Sequence, residues 1–299
     1  MNSNYPVPED GVTELIGLPA PAKINLFLHV IGRRSDGYHL LQSVFALVDW
    51  ADQINLFSRA CGVSRSDLNA DFGLPSDDLM VRAAQALQRA TGCTKGVHME
   101  LTKRVPMQAG LGGGSSDAAT CLIGLNRLWN LKLSRKALLD IAAGLGADVP
   151  FFIGGQNAWV EGIGEQLTPL ALPPTRVTIL KPSAGVSTSE IFSSSLLTRD
   201  TKPATMSDFA EHRVAGDTDW QPYSFGRNDL QAPAVSVCHE IQAAINWLAQ
   251  KKLTARMTGS GSAVFAVHAD SVDVSEAPAG WLIHQGNVLK MHPLAHWIS

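Results

Sequence analysis

Cysteine is scarce in this 299-residue chain: Cys61, Cys93, Cys121 and Cys238 lie far apart and form no CxxC. Scattered thiols suit a reducing compartment and argue against a disulfide framework or a thiol-bound zinc. An excess of one charge is also missing, since 24 Lys and Arg against 27 Asp and Glu leave a formal charge of −3. The short basic pairs Arg33-Arg34, Lys103-Arg104 and Lys251-Lys252 are no substitute for a basic face, so no nucleic-acid partner is expected. No apolar run reaches the ~18 residues of a membrane helix. The first twenty residues carry Glu9 and Asp10 without a basic n-region, so no signal peptide is read there. A soluble, cytoplasmic protein with no membrane partner is the expectation. The nine histidines form no HExxH, and His292 and His296 beside Trp297 read as packing residues; no metal site is expected from side chains alone.

The chain does hold ample core, with 45% apolar and 17% charged residues, which excludes general disorder and allows one large or two modest domains. Residues 1–18 read as a polar, proline-containing leader. Ile24–Ile31 and Leu40–Trp50 read as strands joined across the Asp36-Gly37 turn. Ser76 is expected to cap a helix with Leu79, Ala83, Leu87 and Ala90 on its apolar face. Val97–Leu101 reads as a strand, 118–129 and 135–145 as helices, and Phe151–Ile153 and Ala158–Val160 as strands. The pattern breaks at Pro169–Pro174, which sets a boundary between 19–170 and 171–299. Beyond it come a strand at Val177–Leu180, a polar segment at 193–225, one helix from Ala234 to Leu248, and a strand at Ala263–Val267. Mixed elements without strict βα alternation favour an α+β fold.

The most informative stretch is Pro106-Met-Gln-Ala-Gly-Leu-Gly-Gly-Gly-Ser-Ser116. Three consecutive glycines let backbone N–H groups converge where a Cβ would obstruct an anion, and a helix opening there aims its positive end at the same spot. A di- or triphosphate is the natural occupant; a flexible turn into a helix cap is the plain alternative. No Lys follows the glycines as a P-loop requires, and position 115 is serine where GxGxxG needs glycine. Asp71-Phe72-Gly73 spells a protein-kinase triplet but precedes the loop and has no HRD partner, so it reads as chance.

Pro106–Ser116, together with Pro21-Ala-Lys-Ile-Asn-Leu26 and Met257-Thr-Gly-Ser-Gly-Ser-Ala-Val-Phe265, resembles the three motifs of the GHMP kinases, in the same order and over nearly the whole chain. Gly32-Arg-Arg-Ser-Asp-Gly-Tyr-His39, Leu145–Pro150 and Arg227–Leu230 narrow the resemblance to members whose substrate carries a cytidine diphosphate. The resemblance implies a two-domain fold with its active site in the interdomain cleft. An ATP-binding N-terminal domain (19–170) and a substrate-binding C-terminal domain (171–299) are expected. ATP with Mg²⁺ would phosphorylate a small alcohol, and the protein would be a monomer or weak homodimer. Other small alcohols, such as homoserine or mevalonate, are the nearest alternative substrates; a non-catalytic nucleotide-binding protein is a further alternative.

Individual residues carry both an ordinary and a functional reading. Lys23 interrupts an apolar strand and needs an anionic partner if that strand is internal; Asp148 could be a turn or cap residue. The resemblance makes Lys23 and Asp148 the catalytic pair. For ATP it implies Pro106, Met107, Gln108, Ala109, Gly110, Leu111, Gly112, Gly113, Gly114, Ser115 and Ser116. Lys103 would lie near adenine or phosphates, or else on the solvated surface, and Asp78 stands where some members carry an adenine-side asparagine. For the substrate it implies Asn25, Thr188, and Tyr38 and Phe192 on opposite faces of the cytosine. His39 would meet the edge of the base, and Gly259, Ser260 and Gly261 would approach the diphosphate. Ser115 or Ser116 is expected to assist the phosphates in holding Mg²⁺.

Overall fold

The computed structural model describes residues 12–69, 75–212 and 220–299; Asp71-Phe72-Gly73 lies outside them. Two long strands dominate the first half, β1 (Glu14–Arg33) and β2 (His39–Arg59), paired antiparallel. Val63–Asp67 forms β3, Leu79–Thr91 α1, and Gly96–Thr102 β4, which pairs parallel with β3 and antiparallel with β2. Gly113–Leu128 is α2, Arg135–Ala143 α3, Val149–Gly154 α4, Ala158–Glu161 β5 and Gln166–Pro169 β6. One sheet runs β3-β4-β2-β5-β6 with β1 also on β2. Its core is filled by α1 and α2 against Leu18, Leu47, Ile54 and Leu56.

The second half begins with β7 (Arg176–Lys181), then the short helices α5 (Thr188–Ser193) and α6 (Met206–Ala210). Gln231–Val237 is α7, His239–Gln250 α8, Ala255–Met257 β8, Val264–His268 β9 and Leu282–Asn287 β10. Its antiparallel sheet has the order β10-β7-β9-β8. Helices and strands segregate around two sheets, an α+β fold. Among the described residues, no helix is long and apolar enough to cross a membrane.

Several expectations need correction. β1 starts at Glu14, inside the expected leader, because Leu15 and Leu18 bury themselves opposite Leu56 and Ile54. Asp78, not Ser76, caps α1: its Oδ1 accepts the Val81 N–H at 3.0 Å. Phe151–Ile153 is helical. A short apolar run does not reveal its period; Pro150 fits a first helical turn, and Gly155 at φ 74° ends it. The expected single helix 234–248 breaks at Cys238 into α7 and α8.

The C-terminal run does not stay with the second sheet. Val288 and Met291 bridge to Val48 and Gln156, and Leu294 and Ile298 enter the first core. Arg135 holds this return, donating to the carbonyls of Ala295 and Ile298 as well as Ile153 and Gly154.

Candidate active site

β1 carries the chemistry because both glycine motifs fasten to it. The Lys23 N–H donates to the Leu111 carbonyl at 2.9 Å, and the Asn25 N–H to Thr258 Oγ1 at 2.8 Å. The motifs also interlock: Ser262 N–H reaches the Gln108 carbonyl at 3.3 Å and Ala263 N–H that of Ala109 at 3.2 Å. A Cβ on Gly110 would strike the Thr258 carbonyl, and one on Gly259 would fall 2.8 Å from the Gly110 oxygen. Glycine is therefore required at this crossing, where both residues also have positive φ.

Asn228 secures the second glycine turn, its Nδ2 donating to the carbonyls of Met257 (2.9 Å) and Gly259 (2.8 Å). Asp229 accepts the Val30 N–H at 2.9 Å, so the Arg227–Leu230 motif is a clamp between β1 and that turn. This role was hidden in the sequence, where Arg227–Leu230 served only as part of the resemblance.

A cavity of about 730 Å³ opens where these pieces meet. Lys23, Asn25, Asp78, Lys103, Pro106–Ser115, Asp148, Thr188, Phe192 and Gly259–Gly261 line it. A second cavity of about 650 Å³ shares Leu41, Ala147, Ile163, Thr188 and Phe192 with it, and adds Tyr38, His39 and Arg199. Ser116 lines neither: it is fully buried, and its Oγ has no hydrogen-bond partner among the described residues.

Lys23 Nζ lies 3.8 Å from Asp148 Oδ2, 2.6 Å from Asn25 Oδ1 and 4.7 Å from the centre of the Phe45 ring. Burial holds its ammonium below the ordinary 10.5, and Asp148 opposes that shift. Asp148 sits at the N-terminus of α4 with its side chain 31% exposed, open to an incoming group. Beside Lys23, α2 begins at Gly113 with Gly112 in a left-handed conformation, a Cβ on Gly112 falling 3.2 Å from the lysine's Cγ, so the free N–H groups of α2 open at the glycine loop.

Lys103 is not a surface lysine. It is buried, paired with Asp52 and, at 3.0 Å, with Asp117 Oδ2. Both Asp52 and Asp117 escaped the sequence reading, since each looks like an ordinary polar residue until the lysine reaches it. Asp117 Oδ1 makes no hydrogen bond among the described residues. Burial raises the Asp117 carboxyl well above its ordinary value, although Lys103 opposes it. Burial likewise raises Asp78, against the Val81 N–H and an Arg65 guanidinium whose Nε is 3.2 Å from Asp78 Oδ2.

The β1–β2 hairpin presents the aromatic pair. Gly37 turns the chain at φ 92°, Tyr38 stands 60% exposed, and His39 is the cross-strand partner of Arg33. Phe192 stacks on His39, ring centres 5.0 Å apart and planes inclined 29°, rather than on Tyr38. Thr188 Oγ1 lies 2.7 Å from Ser260 Oγ, joining α5 to the glycine turn.

Among the described residues, no group of three or more His, Cys, Asp or Glu could hold a metal. The oxygen-bearing side chains lining the cavity near the loop include Ser115, Asp78, Asp148 and Asp117, whose buried Oδ1 has no hydrogen-bond partner among the described residues. That donor set fits a hard cation carried mainly by phosphates and water.

A glycine loop at a helix N-terminus, facing a buried lysine and a partly open carboxylate, defines a phosphotransferase of small molecules. The models for the GHMP kinases N terminal domain and the GHMP kinases C terminal region match residues 78–156 and 222–284. The chain is 53% identical to the 4-diphosphocytidyl-2-C-methyl-D-erythritol kinase of Polaromonas naphthalenivorans (strain CJ2), covering 95% of this chain and 96% of that one. It is 55% identical to the enzyme of the same name from Acidovorax sp. (strain JS42), covering 95% and 98%. A crystal structure of 4-(cytidine 5'-diphospho)-2C-methyl-D-erythritol kinase superposes with a TM-score of 0.74 at 33% identity, covering 92% of this chain and 98% of that one. A homoserine kinase from Cytophaga hutchinsonii shares the fold at TM-score 0.67 and 17% identity, covering 96% and 98%. The chain belongs to the GHMP kinases, ATP-dependent kinases of small alcohols, and within them to the 4-diphosphocytidyl-2-C-methyl-D-erythritol kinase family.

Proposed function

We propose that this protein transfers the γ-phosphoryl group of ATP to the 2-hydroxyl of 4-diphosphocytidyl-2-C-methyl-D-erythritol, a step toward isoprenoid precursors by the non-mevalonate route. The observation that carries this reading is the Lys23–Asp148 pair in the same cavity as the N-terminus of α2. Asp148 accepts the proton of the attacking hydroxyl, and Lys23 balances the charge that develops on that oxygen. Phosphoryl transfer asks chiefly for positioning and electrostatics, so a weak base suffices.

Pro106–Ser115 receives the triphosphate, with Gly112, Gly113 and Gly114 allowing close approach of the backbone. Lys103 and Asp78 border the nucleotide, with Asp78 toward adenine. Ser115 and Asp117 Oδ1 are the protein oxygens suited to Mg²⁺, which when bound would neutralise phosphate charge. Tyr38, His39, Thr188 and Phe192 form the cytidine pocket; Asn25 and Gly259–Gly261 border the diphosphate and the reacting alcohol. A stacking platform has no use for a small acid such as homoserine or mevalonate.

The test is ADP release from ATP with 4-diphosphocytidyl-2-C-methyl-D-erythritol, mevalonate or homoserine as acceptor. Turnover with the cytidyl substrate alone is expected. ATP binding by folded protein without turnover on that substrate would sink the assignment.

A further inference from the structure

Arg199, in the chain that follows α5, spends its guanidinium in the wall of the second cavity. Its Nη1 donates to the Leu197 carbonyl at 3.1 Å, and its Nη2 to the carbonyls of Phe192 (3.0 Å) and Ser194 (2.9 Å). Its Nε–H donates to His39 Nε2 at 3.2 Å. One side chain thus ties both rings of the His39–Phe192 stack, one through its imidazole and the other through its backbone.

The bond to His39 has a chemical consequence. A guanidinium has only donors, so the ring nitrogen facing it must accept. The proton of a neutral imidazole then sits on Nδ1, which has no partner among the described residues. The charged groups bearing on His39 are Arg199 and its cross-strand neighbour Arg33, and both, with burial, push its pKa below 6.5. The wall consequently offers one neutral N–H donor. Cytosine carries a bare ring nitrogen at N3, an acceptor, where uracil carries an N–H.

We propose that Arg199 is a positioning residue that locks the His39–Phe192 wall and sets His39 as an Nδ1–H donor, thereby selecting a cytosine over a uracil nucleotide. The selectivity rests on the substrate reading above; the locked tautomer does not. A site built around a hydrogen bond discriminates strongly against a base that presents the wrong partner.

Two experiments separate these. Histidine ¹⁵N NMR, with His39 assigned through His39→Gln, is expected to find wild-type His39 protonated on Nδ1 alone. Arg199→Ala should release a tautomer mixture and raise the His39 pKa. A wild-type His39 protonated on Nε2, or one unchanged in Arg199→Ala, overturns the proposal whatever the substrate. The second experiment compares kcat/KM for the cytidyl substrate and its uridine counterpart. Arg199→Ala should lose the preference by on the order of tenfold, through KM for the cytidyl substrate and not for ATP. Arg199→Lys, which keeps the charge without the fork, should likewise leave the KM for ATP unchanged and should not restore the preference. A preference unchanged in both variants overturns the selectivity. Failure of the wild type to use either pyrimidine substrate, with the tautomer as expected, would count against the substrate reading and the selectivity but not against the lock.

Discussion

Lys23 and Asp148 make opposite demands at their shared site. A buried ammonium costs stability, and one carboxylate at 3.8 Å with a 31% exposed side chain compensates only part of that cost. With the Lys23 pKa lowered by burial, the native state binds fewer protons than the unfolded chain between that lowered value and 10.5. Stability therefore rises with pH through that window. Replacing Lys23 by Met should leave the thermal midpoint equal or higher while kcat falls at least ~10²-fold, the usual scale for lost proton-transfer or charge assistance. A melting scan beside steady-state kinetics tests both halves, and a lower midpoint would contradict the first. Asp148→Asn should lower kcat by a similar factor with little change in the KM for ATP, because in the proposed mechanism its carboxylate serves the acceptor hydroxyl. Lys23 invited this reading from sequence because a lysine in an apolar strand needs an explanation. Lys103 did not, because its partners Asp52 and Asp117 lie 51 and 14 residues away in the chain.

At the scale of elements, the two glycine turns act as one unit. Their backbones cross at Gly110 and Gly259 with no room for a side chain. Gly110→Ala combines a collision with the Thr258 carbonyl and an L-residue at φ 72°. It should cost more than about 1 kcal/mol and abolish ATP binding, which denaturant titration and calorimetry would measure. Wild-type stability or ATP affinity in that variant would argue that the turns can separate. The glycines themselves were plain in the sequence as a loop opening a helix. That the second motif, about 150 residues later, packs on the first rather than only facing a substrate required the clamp from Asn228 and Asp229.

Across the whole molecule, the C-terminal run straps the second half onto the first. Leu294 is fully buried in the first core, so Leu294→Ala should cost about 2–5 kcal/mol, seen as a lower urea midpoint with an unchanged slope. His292 lies in the same strap. Its Nδ1 accepts the Leu294 N–H at 3.1 Å, and burial, aided by Arg135, pushes its pKa down to about 3. The fold keeps this ring neutral while the unfolded chain protonates near 6.5, so stability should drain as pH falls from 6.5 toward 3. The slope approaches ~1.4 kcal/mol per pH unit. Stability measured against pH should show that loss in the wild type and a flatter profile in His292→Gln; identical profiles would assign the acid sensitivity elsewhere.

Local chemistry was enough to read from the chain the β-hairpin, the glycine loop opening a helix, α1 to α3 and the lysine that needed a partner. Those features depend on residues within a few positions of one another: alternating or helical apolar spacing, glycines with no Cβ, a capping side chain, an uncompensated charge. The helical state of Phe151–Ile153, the burial of Lys103, the stack of His39 on Phe192 with Arg199 behind it, and the return of the last twelve residues to the first core were decided by the tertiary structure. Each depends on groups that chain folding brings together from tens to hundreds of residues apart, and a short apolar run or a lone charge carries no mark of the neighbour it will meet.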